Sequence, residues 1–558
     1  MSILNFKIQL RSKSSGVYSG TPKVYNFKFD ILGILYISPF SEEDFTDEQQ
    51  TNYIFIRLRS MDLIAFLRES NMLFLVFTSF FFLLLIKLKF SKTIKNLPPS
   101  PPTLPIIGNL HQMGDKPHIS ITNLAKEYGP LISLRLGSQL LVVASSPETA
   151  REILKIQDRS FSSRFVPSTY RQSSVLPYSL LWSDCDQTWR TLRTICRTEL
   201  FSAKAMDTYS SVRGEKISDM LEFLRNKQGE VVDIGDLAFK TMFNTLSCII
   251  FGKDLIDLKE EHETRGGLKD SVENILEYGG KTDLGDFFPI FRRLDLQGIK
   301  KGGLKQIKTA FSFWEDIIKD RRSQICSPTW SSDQVNSLLD RLIEQGFSDF
   351  QINQFATELY IAGTDTTTSV VGWAIAELLT HKDVLSEVER EVGKKQIDFD
   401  KISESQLSEL PYLHACIKET LRMHPTGPFL LPHRAQETCE VMGYTVPKDT
   451  QVFVNIWAIS RDPKIWDDPL SFKPERFIDS KVDFRGQNFE FTPFGAGRRM
   501  CPGLPLGFKS VELILASLIR EFDWVLPNGE DPSKLDMNDK FGVILHKEKP
   551  VNLIFKPK

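Results

Sequence analysis

Ten residues near the carboxyl end restrict this chain more than any other stretch: Phe494-Gly495-Ala496-Gly497-Arg498-Arg499-Met500-Cys501-Pro502-Gly503. Three glycines surround one cysteine, and glycine lets backbone approach a flat, bulky ligand where any side chain would collide. Helical patterning resumes beyond Gly507, so Cys501 is expected at or just before a helix start, where N–H groups and the helix dipole favour a thiolate. A lone cysteine is ordinarily a small buried apolar residue. That reading explains neither the glycines nor Arg499, two residues before the sulfur. The other cysteines are Cys185, Cys196, Cys248, Cys326, Cys416 and Cys439, and no two of the seven form a C-x-x-C pair. A disulfide framework and a structural zinc site are therefore not expected, and the body should face a reducing compartment.

Charge narrows the partners. With 69 Lys and Arg against 71 Asp and Glu, the net charge is -2, so no basic field exists to hold nucleic acid. A hydrophobic content of 41% permits a large ordered core.

Residues 70–86 carry no charge, a length at the short end of what spans a bilayer. Asp62, Arg68 and Glu69 precede this run and Lys87, Lys89, Lys92 and Lys95 follow it. The positive-inside bias then puts everything after Lys87 in the cytosol. No small-residue cleavage site follows Ile86, so residues 61–90 are expected to be a retained anchor helix rather than a signal peptide. Residues 91–102 form a basic, Pro-rich hinge whose prolines cannot be helical and should act as a stiff spacer. Residues 1–60 lack sustained periodicity, and Met61-Asp62-Leu63-Ile64 resembles a natural start, so the first sixty residues are expected to be a gene-model extension or disordered.

From 103 to 558 no linker or repeat interrupts the chain, which predicts one large domain. Helical periodicity dominates, for example over 206–224, 352–379 and 412–423, and short β-like runs cover 131–136, 140–143 and 452–454. The class is mainly α with small β-sheets. Ser348-Asp349-Phe350-Gln351 forms a capping box at the head of a long helix. In the middle of that helix lies Ala362-Gly363-Thr364-Asp365-Thr366-Thr367-Thr368. Gly363 costs about 1 kcal/mol relative to alanine, and threonine hydroxyls can bond back to carbonyls. Such a weak point either is an accident or holds something against the helix. Glu419 and Arg422, three apart on a helix that Pro411 can start and His424-Pro425 ends, could be an exposed ion pair of about 0.2–0.5 kcal/mol.

The cysteine segment fits F-x-x-G-x-R-x-C-x-G at every fixed position and resembles the haem-binding loop of the cytochrome P-450 superfamily, in which a cysteine thiolate ligates the iron. The resemblance implies haem b (iron protoporphyrin IX) with Cys501 as axial ligand, Arg499 paired with a propionate, Phe494 and Gly497 completing the loop, and Gly503 admitting backbone donors to the sulfur. Ala362 to Thr367 resembles the superfamily's oxygen-activation motif, which implies that Asp365 and Thr366 deliver protons. Glu419 and Arg422 are similar to its buried E-x-x-R pair, locked to the arginine of Pro474-Glu475-Arg476-Phe477. Trp189 and Arg193 resemble the W-x-x-x-R helix that reaches the propionates, and His433 falls where relatives place a third propionate partner.

The ordered set from Pro98 to Gly503 resembles the plant microsomal branch. The stretches 175–184, Pro432-His433-Arg434, Glu437-Thr438-Cys439 and Phe541-Gly542-Val543 are similar to the alkaloid-oxidising family that includes N-methylcoclaurine hydroxylases and littorine mutase. This likeness implies an NADPH- and O2-dependent monooxygenase at the endoplasmic reticulum membrane, single-pass with its catalytic domain cytosolic. The first expectation for its small-molecule substrate is a tropane alkaloid, littorine, converted to hyoscyamine aldehyde. A benzylisoquinoline or geraniol-type hydroxylase is the alternative, and an O2-independent isomerase or a non-catalytic haem protein the rival class. No G-x-G-x-x-G followed by an acidic residue appears, so electrons should come from a separate NADPH-cytochrome P-450 reductase.

Overall fold

The computed structural model describes residues 4–10, 23–29, 35–38, 78, 95–171, 174–259, 268–327, 337–394 and 404–558. It divides into two units, 1–93 and 94–558. In the first, β1 (Leu4–Leu10), β2 (Lys23–Phe29) and β3 (Leu35–Ser38) pair antiparallel in that order. β1 alternates Leu4, Phe6, Ile8 and Leu10 with Asn5, Lys7 and Gln9, the period-two pattern of a strand, although residues 1–60 as a whole show no sustained periodicity. Apart from Thr78, the expected anchor at 61–90 lies outside the described residues.

The second unit is mainly helical. Its largest sheet has five strands: β4 (Leu131–Leu136), β5 (Gln139–Ala144), β6 (Ser163–Arg164), β7 (His433–Arg434) and β8 (Gln451–Val454), in spatial order β4-β5-β8-β7-β6. Val142, Val143 and Ala144 are fully buried, and the two β-branched valines suit an inner strand. Only β5 and β8 run parallel, and the other pairs are antiparallel. Two later strands, β9 (Asp539–Lys540) and β10 (His546–Lys547), form a separate hairpin.

Seven helices place the site. They are α1 (Gln187–Ile195), α2 (Ile234–Phe251), α3 (Ile299–Ile325), α4 (Asp349–Gly363), α5 (Asp365–Thr380), α6 (Pro411–Met423) and α7 (Leu504–Glu521). The capping box at Ser348 and Gln351 forms as its sequence predicts. Instead of one helix over 352–379, the chain makes two, divided at Thr364. The physical reason is the threonine run: Thr364, Thr366 and Thr367 each donate a hydroxyl to the carbonyl four residues back, at 2.8, 2.7 and 3.0 Å. Hydroxyls that compete for these carbonyls loosen the backbone ladder.

Rings lock α4 to α2 and α3. Trp314 stacks on Tyr360 with centroids 4.7 Å apart, its indole N–H reaches Thr357 Oγ1 at 3.0 Å, and the Tyr360 hydroxyl meets Ser247 at 2.8 Å. Trp314 is fully buried, so truncating it to alanine should cost about 3–5 kcal/mol. Helix α2 is long and apolar enough to cross a membrane, but most of it is buried in this core.

The Pro-rich run differs from its expectation as a spacer. Pro98 and Pro101 are buried. The carbonyls of Pro98 and Pro99 accept the Ser133 hydroxyl at 2.7 Å and the Ser133 N–H at 2.8 Å. Proline lacks a donor but keeps its carbonyl, and an extended run offers those carbonyls to a neighbouring strand.

Candidate active site

Helix α7 begins at Leu504 with Gly503 as its N-cap, so Cys501 lies just before a helix start as predicted. The helix starts earlier than the patterning beyond Gly507 implied, because Pro505 is well tolerated in a first turn. The Cys501 thiol opens onto a cavity while sitting deep in the body. Burial raises its pKa, opposed by the N–H groups of Gly503 and Leu504 and by Arg193. The sulfur thus faces two backbone donors and a guanidinium, which favour the anion once a cation lies on its open side.

The cavity has a volume of about 300 Å³. Cys501, Phe494, Gly503, Arg499, Arg193, Trp189, His433 and Thr366 all line it. Sequence reasoning expected these residues to converge, and the fold brings them together from α1, α5, β7 and the cysteine loop. Gly497 is an exception. Its φ is +67°, and a Cβ there would stand 2.0 Å from the Leu154 carbonyl oxygen. It is required by backbone packing and does not line the cavity, because the close approach that removes its side chain is to protein.

Three guanidiniums converge on the cavity, and no described carboxylate forms an ion pair with any of them. Arg499 donates Nε to the Ser162 carbonyl at 2.7 Å, Nη1 to Leu180 O at 3.4 Å and Nη2 to Ser183 O. Arg193 donates to the Met500 carbonyl. Arg164, which sequence reasoning missed, donates Nη1 to Leu431 O at 2.7 Å, while its buried Nε has no partner. Burial and the neighbouring Arg499 lower the Arg164 pKa. Burial, then Arg164, hold the His433 imidazole neutral, with its pKa pushed down to about 3, and its Nδ1–H goes to Phe161 O at 2.8 Å. Trp189 spends its indole N–H on Leu180 O at 3.1 Å, and its ring lies 4.7 Å below the Arg499 guanidinium. Buried cations without counter-charge are costly. An orphaned Arg164 Nε, unpaired guanidiniums and a thiol with backbone donors behind it fit a flat dianionic ligand with a metal centre, and haem is such a ligand.

The proton-delivery residues divide. Thr366 lines the cavity, whereas Asp365 is turned away from it toward β10, where its Oδ2 lies 3.0 Å from His546 Nε2. Adjacent helical positions point about 100° apart, which separates the two. Nothing in the local sequence announces His546.

Glu419 and Arg422 are fully buried rather than exposed. Arg422 Nε and Nη2 both reach the Glu419 carboxylate at 2.7 Å, Arg476 Nε reaches it at 3.2 Å, and the Lys473 N–H at 2.9 Å. Arg422 also donates to Ser460 O at 2.6 Å and Pro469 O at 2.8 Å. This bidentate, satisfied network fixes α6 to the segment that contains Arg476.

A second missed residue is Glu358, on α4 one turn before Ala362. It is buried and lines the cavity. Burial raises its carboxyl to about 7 against four donors: the Ser179 hydroxyl, the Leu180 N–H at 2.6 Å, the Leu181 N–H at 3.3 Å and the Gln354 amide at 2.7 Å. Its sequence signal was an acid between Phe355 and Leu359, beside the apolar stripe.

A family model described as Cytochrome P450 matches residues 98–555. "Probable (S)-N-methylcoclaurine 3'-hydroxylase isozyme 2" of Coptis japonica is 46% identical over 462 residues, 83% of this chain and 93% of the relative. Corytuberine synthase of the same organism is 42% identical over 468 residues (83% and 94%), and geraniol 8-hydroxylase of Catharanthus roseus is 40% identical over 468 residues (83% and 94%).

Proposed function

The chain belongs to the cytochrome P450 family, a haem-binding monooxygenase of plant specialised metabolism, and on that premise we propose that the cavity over Cys501 is where it oxidises an alkaloid. The carrying observation is the shared cavity itself: the Cys501 thiol and Thr366 line one apolar chamber. Cys501 would hold the iron, while Arg164, Arg193, Arg499 and His433 would hold the propionates. The bound haem supplies the activation of dioxygen; the protein supplies orientation and electrostatics. Thr366 presents its hydroxyl inside the chamber, and Asp365 keeps a carboxylate one residue away in contact with His546, the more exposed side of the pair. Together they form a route by which protons can enter from solvent. Leu181, Leu246, Ile249 and Leu359 exclude water from the remaining wall.

Electrons would come from NADPH-cytochrome P-450 reductase. A second depression, reaching Cys501, is lined by Arg193, Arg197, Lys418, Arg485 and Lys509 against Asp483 and Glu512, a cationic excess suited to an acidic partner. Residues 61–90 would anchor the protein by a single pass at the endoplasmic reticulum, with the body cytosolic. Littorine is the first candidate substrate and N-methylcoclaurine the second, the latter favoured by the names of the relatives.

Microsomes containing the protein and reductase should consume NADPH and convert one of littorine, N-methylcoclaurine or geraniol. Reduced protein with carbon monoxide should absorb near the wavelength typical of thiolate-ligated haem, and Cys501→Ser should abolish that band. Turnover without reductase would establish the isomerase class instead.

A further inference from the structure

We propose that Glu358 is the charge-recognition residue of the cavity and that the substrate it selects is a lipophilic cation, a protonated amine carried on an apolar skeleton. This deepens the reading of the cavity as a substrate chamber and rests on it. Among the described residues lining the cavity, Glu358 is the one carboxylate. The wall around it is aliphatic, including Leu181, Leu246, Ile249 and Leu359. None of its four described hydrogen-bond donors is charged.

The nearest cationic side of the cavity does not neutralise it. Leu180 stands between the two, its N–H on Glu358 and its carbonyl accepting from Arg499. One residue therefore serves both charges, through its N–H on one side and its carbonyl on the other, without joining them. Arg499 and its neighbours face the anionic end of the ligand described above, so none of them pairs with the carboxylate, which is left to whatever else occupies the chamber. A buried carboxylate with only neutral donors still carries a desolvation cost, and a cation guest offsets it. A neutral guest cannot.

The position also orients. Ala362 is one helical turn beyond Glu358, so an ammonium held at the carboxylate puts the rest of a ligand about 6 Å or more along α4, toward Thr366. The ammonium end would point away from the reacting end, which suits oxidation of carbon remote from nitrogen.

Glu358 is the group facing this part of the chamber whose protonation changes near neutrality. Burial raises the Tyr170 phenol, and it pushes the Cys196 thiol up to about 12. Both stay neutral. Burial lowers the Arg164, Arg193 and Arg499 guanidiniums from their ordinary value, and it holds His433 neutral at about 3. A cation should therefore bind more tightly as pH rises through about 7 and the Glu358 carboxyl ionises.

The test uses the full-length, haem-loaded protein and calorimetric titration with two probes of one shape: the permanently charged N,N-dimethyl-4-phenylpiperidinium cation and its neutral carbon isostere 1,1-dimethyl-4-phenylcyclohexane. The cation should bind about tenfold or more tightly than the isostere at pH 8, and this advantage should shrink below pH 6. Glu358→Gln, which keeps an acceptor for the Leu180 and Leu181 N–H groups, should abolish the advantage and its pH dependence. Glu358→Asp should restore part of both. Equal affinity of the two probes for the native protein, with no variation between pH 6 and 8, overturns the proposal without recourse to any variant. Reductase-dependent turnover of geraniol together with equal probe affinities would leave the monooxygenase reading intact and sink this one. Selective cation binding without reductase-dependent turnover of any candidate would do the reverse.

Discussion

Two arginine clusters in this molecule, each built around one buried arginine, Arg422 in the first and Arg164 in the second, have opposite fates. Arg422 and Arg476 close on Glu419, and every charge in that group has a partner within the chain. Arg164, Arg193 and Arg499 close on backbone carbonyls, with no described carboxylate in an ion pair with them and one buried N–H of Arg164 unmet. The first cluster is complete as folded and can act only on the fold. The second is incomplete, and its missing anion must arrive with a ligand. Burial of charge thus separates a structural site from a binding site when the question is whether the chain supplies the counter-ion.

The largest expected effect falls on the complete cluster. Glu419→Ala leaves two guanidiniums unpaired and should cost about 3–5 kcal/mol, giving misfolded protein without haem; thermal melting and the carbon monoxide spectrum read both consequences. Stable, haem-loaded Glu419→Ala protein would erase the distinction between the clusters.

Next comes an ion-paired group that belongs to neither. Burial alone would raise the Glu377 carboxyl, but His381 and His424 override it and hold it down to about 2, with the His424 Nε2 contact at 2.6 Å. Its folded pKa lies below its ordinary value of 4.5, so its stabilisation is present above pH 4.5 and lost as pH falls toward 2. That amounts to about 3 kcal/mol. Urea unfolding of native protein and Glu377→Gln at pH 6 and pH 3 should show the difference between them narrowing with acid.

In the incomplete cluster, Arg164→Leu should leave the haem-free chain as stable as before or more so, since it removes like-charge crowding. The same change should hasten haem loss by an amount corresponding to about 1–3 kcal/mol, the contribution of a hydrogen bond to a charged group. Haem transfer to an acceptor protein measures this. If Arg164→Leu instead destabilises the haem-free chain as much as Glu419→Ala does, the two clusters are alike.

The smallest effect belongs to the partly exposed pair. His546→Gln should alter stability by less than about 1 kcal/mol, while shifting the pH profile of NADPH-dependent turnover and raising the peroxide released per NADPH. An unchanged profile would remove His546 from the proton route.

Much of the site was readable from local pattern. Cys501, its glycines, the capping box at Ser348 and the weak helical centre at Gly363 each express chemistry within a few residues, and the fold honours them at those positions. Local pattern also misled. The glycine at 497 reads as room for a ligand until the Leu154 carbonyl is seen 2.0 Å from where its Cβ would be. The prolines at 98–102 read as a free spacer until Ser133 is found bonded to their carbonyls.

Sequence by itself determined that a thiolate-bearing loop precedes a helix, that helices dominate, and that Glu419 and Arg422 share a helical face, since each follows from backbone sterics and periodicities of a few residues. Only tertiary structure decided which charges are answered. Arg164 meets Arg499 across 335 positions of chain, Asp365 meets His546 from a distant hairpin, and Glu358 faces the cavity with neutral donors alone. Whether a buried charge finds its opposite depends on contacts between segments remote in sequence, and no local propensity encodes them.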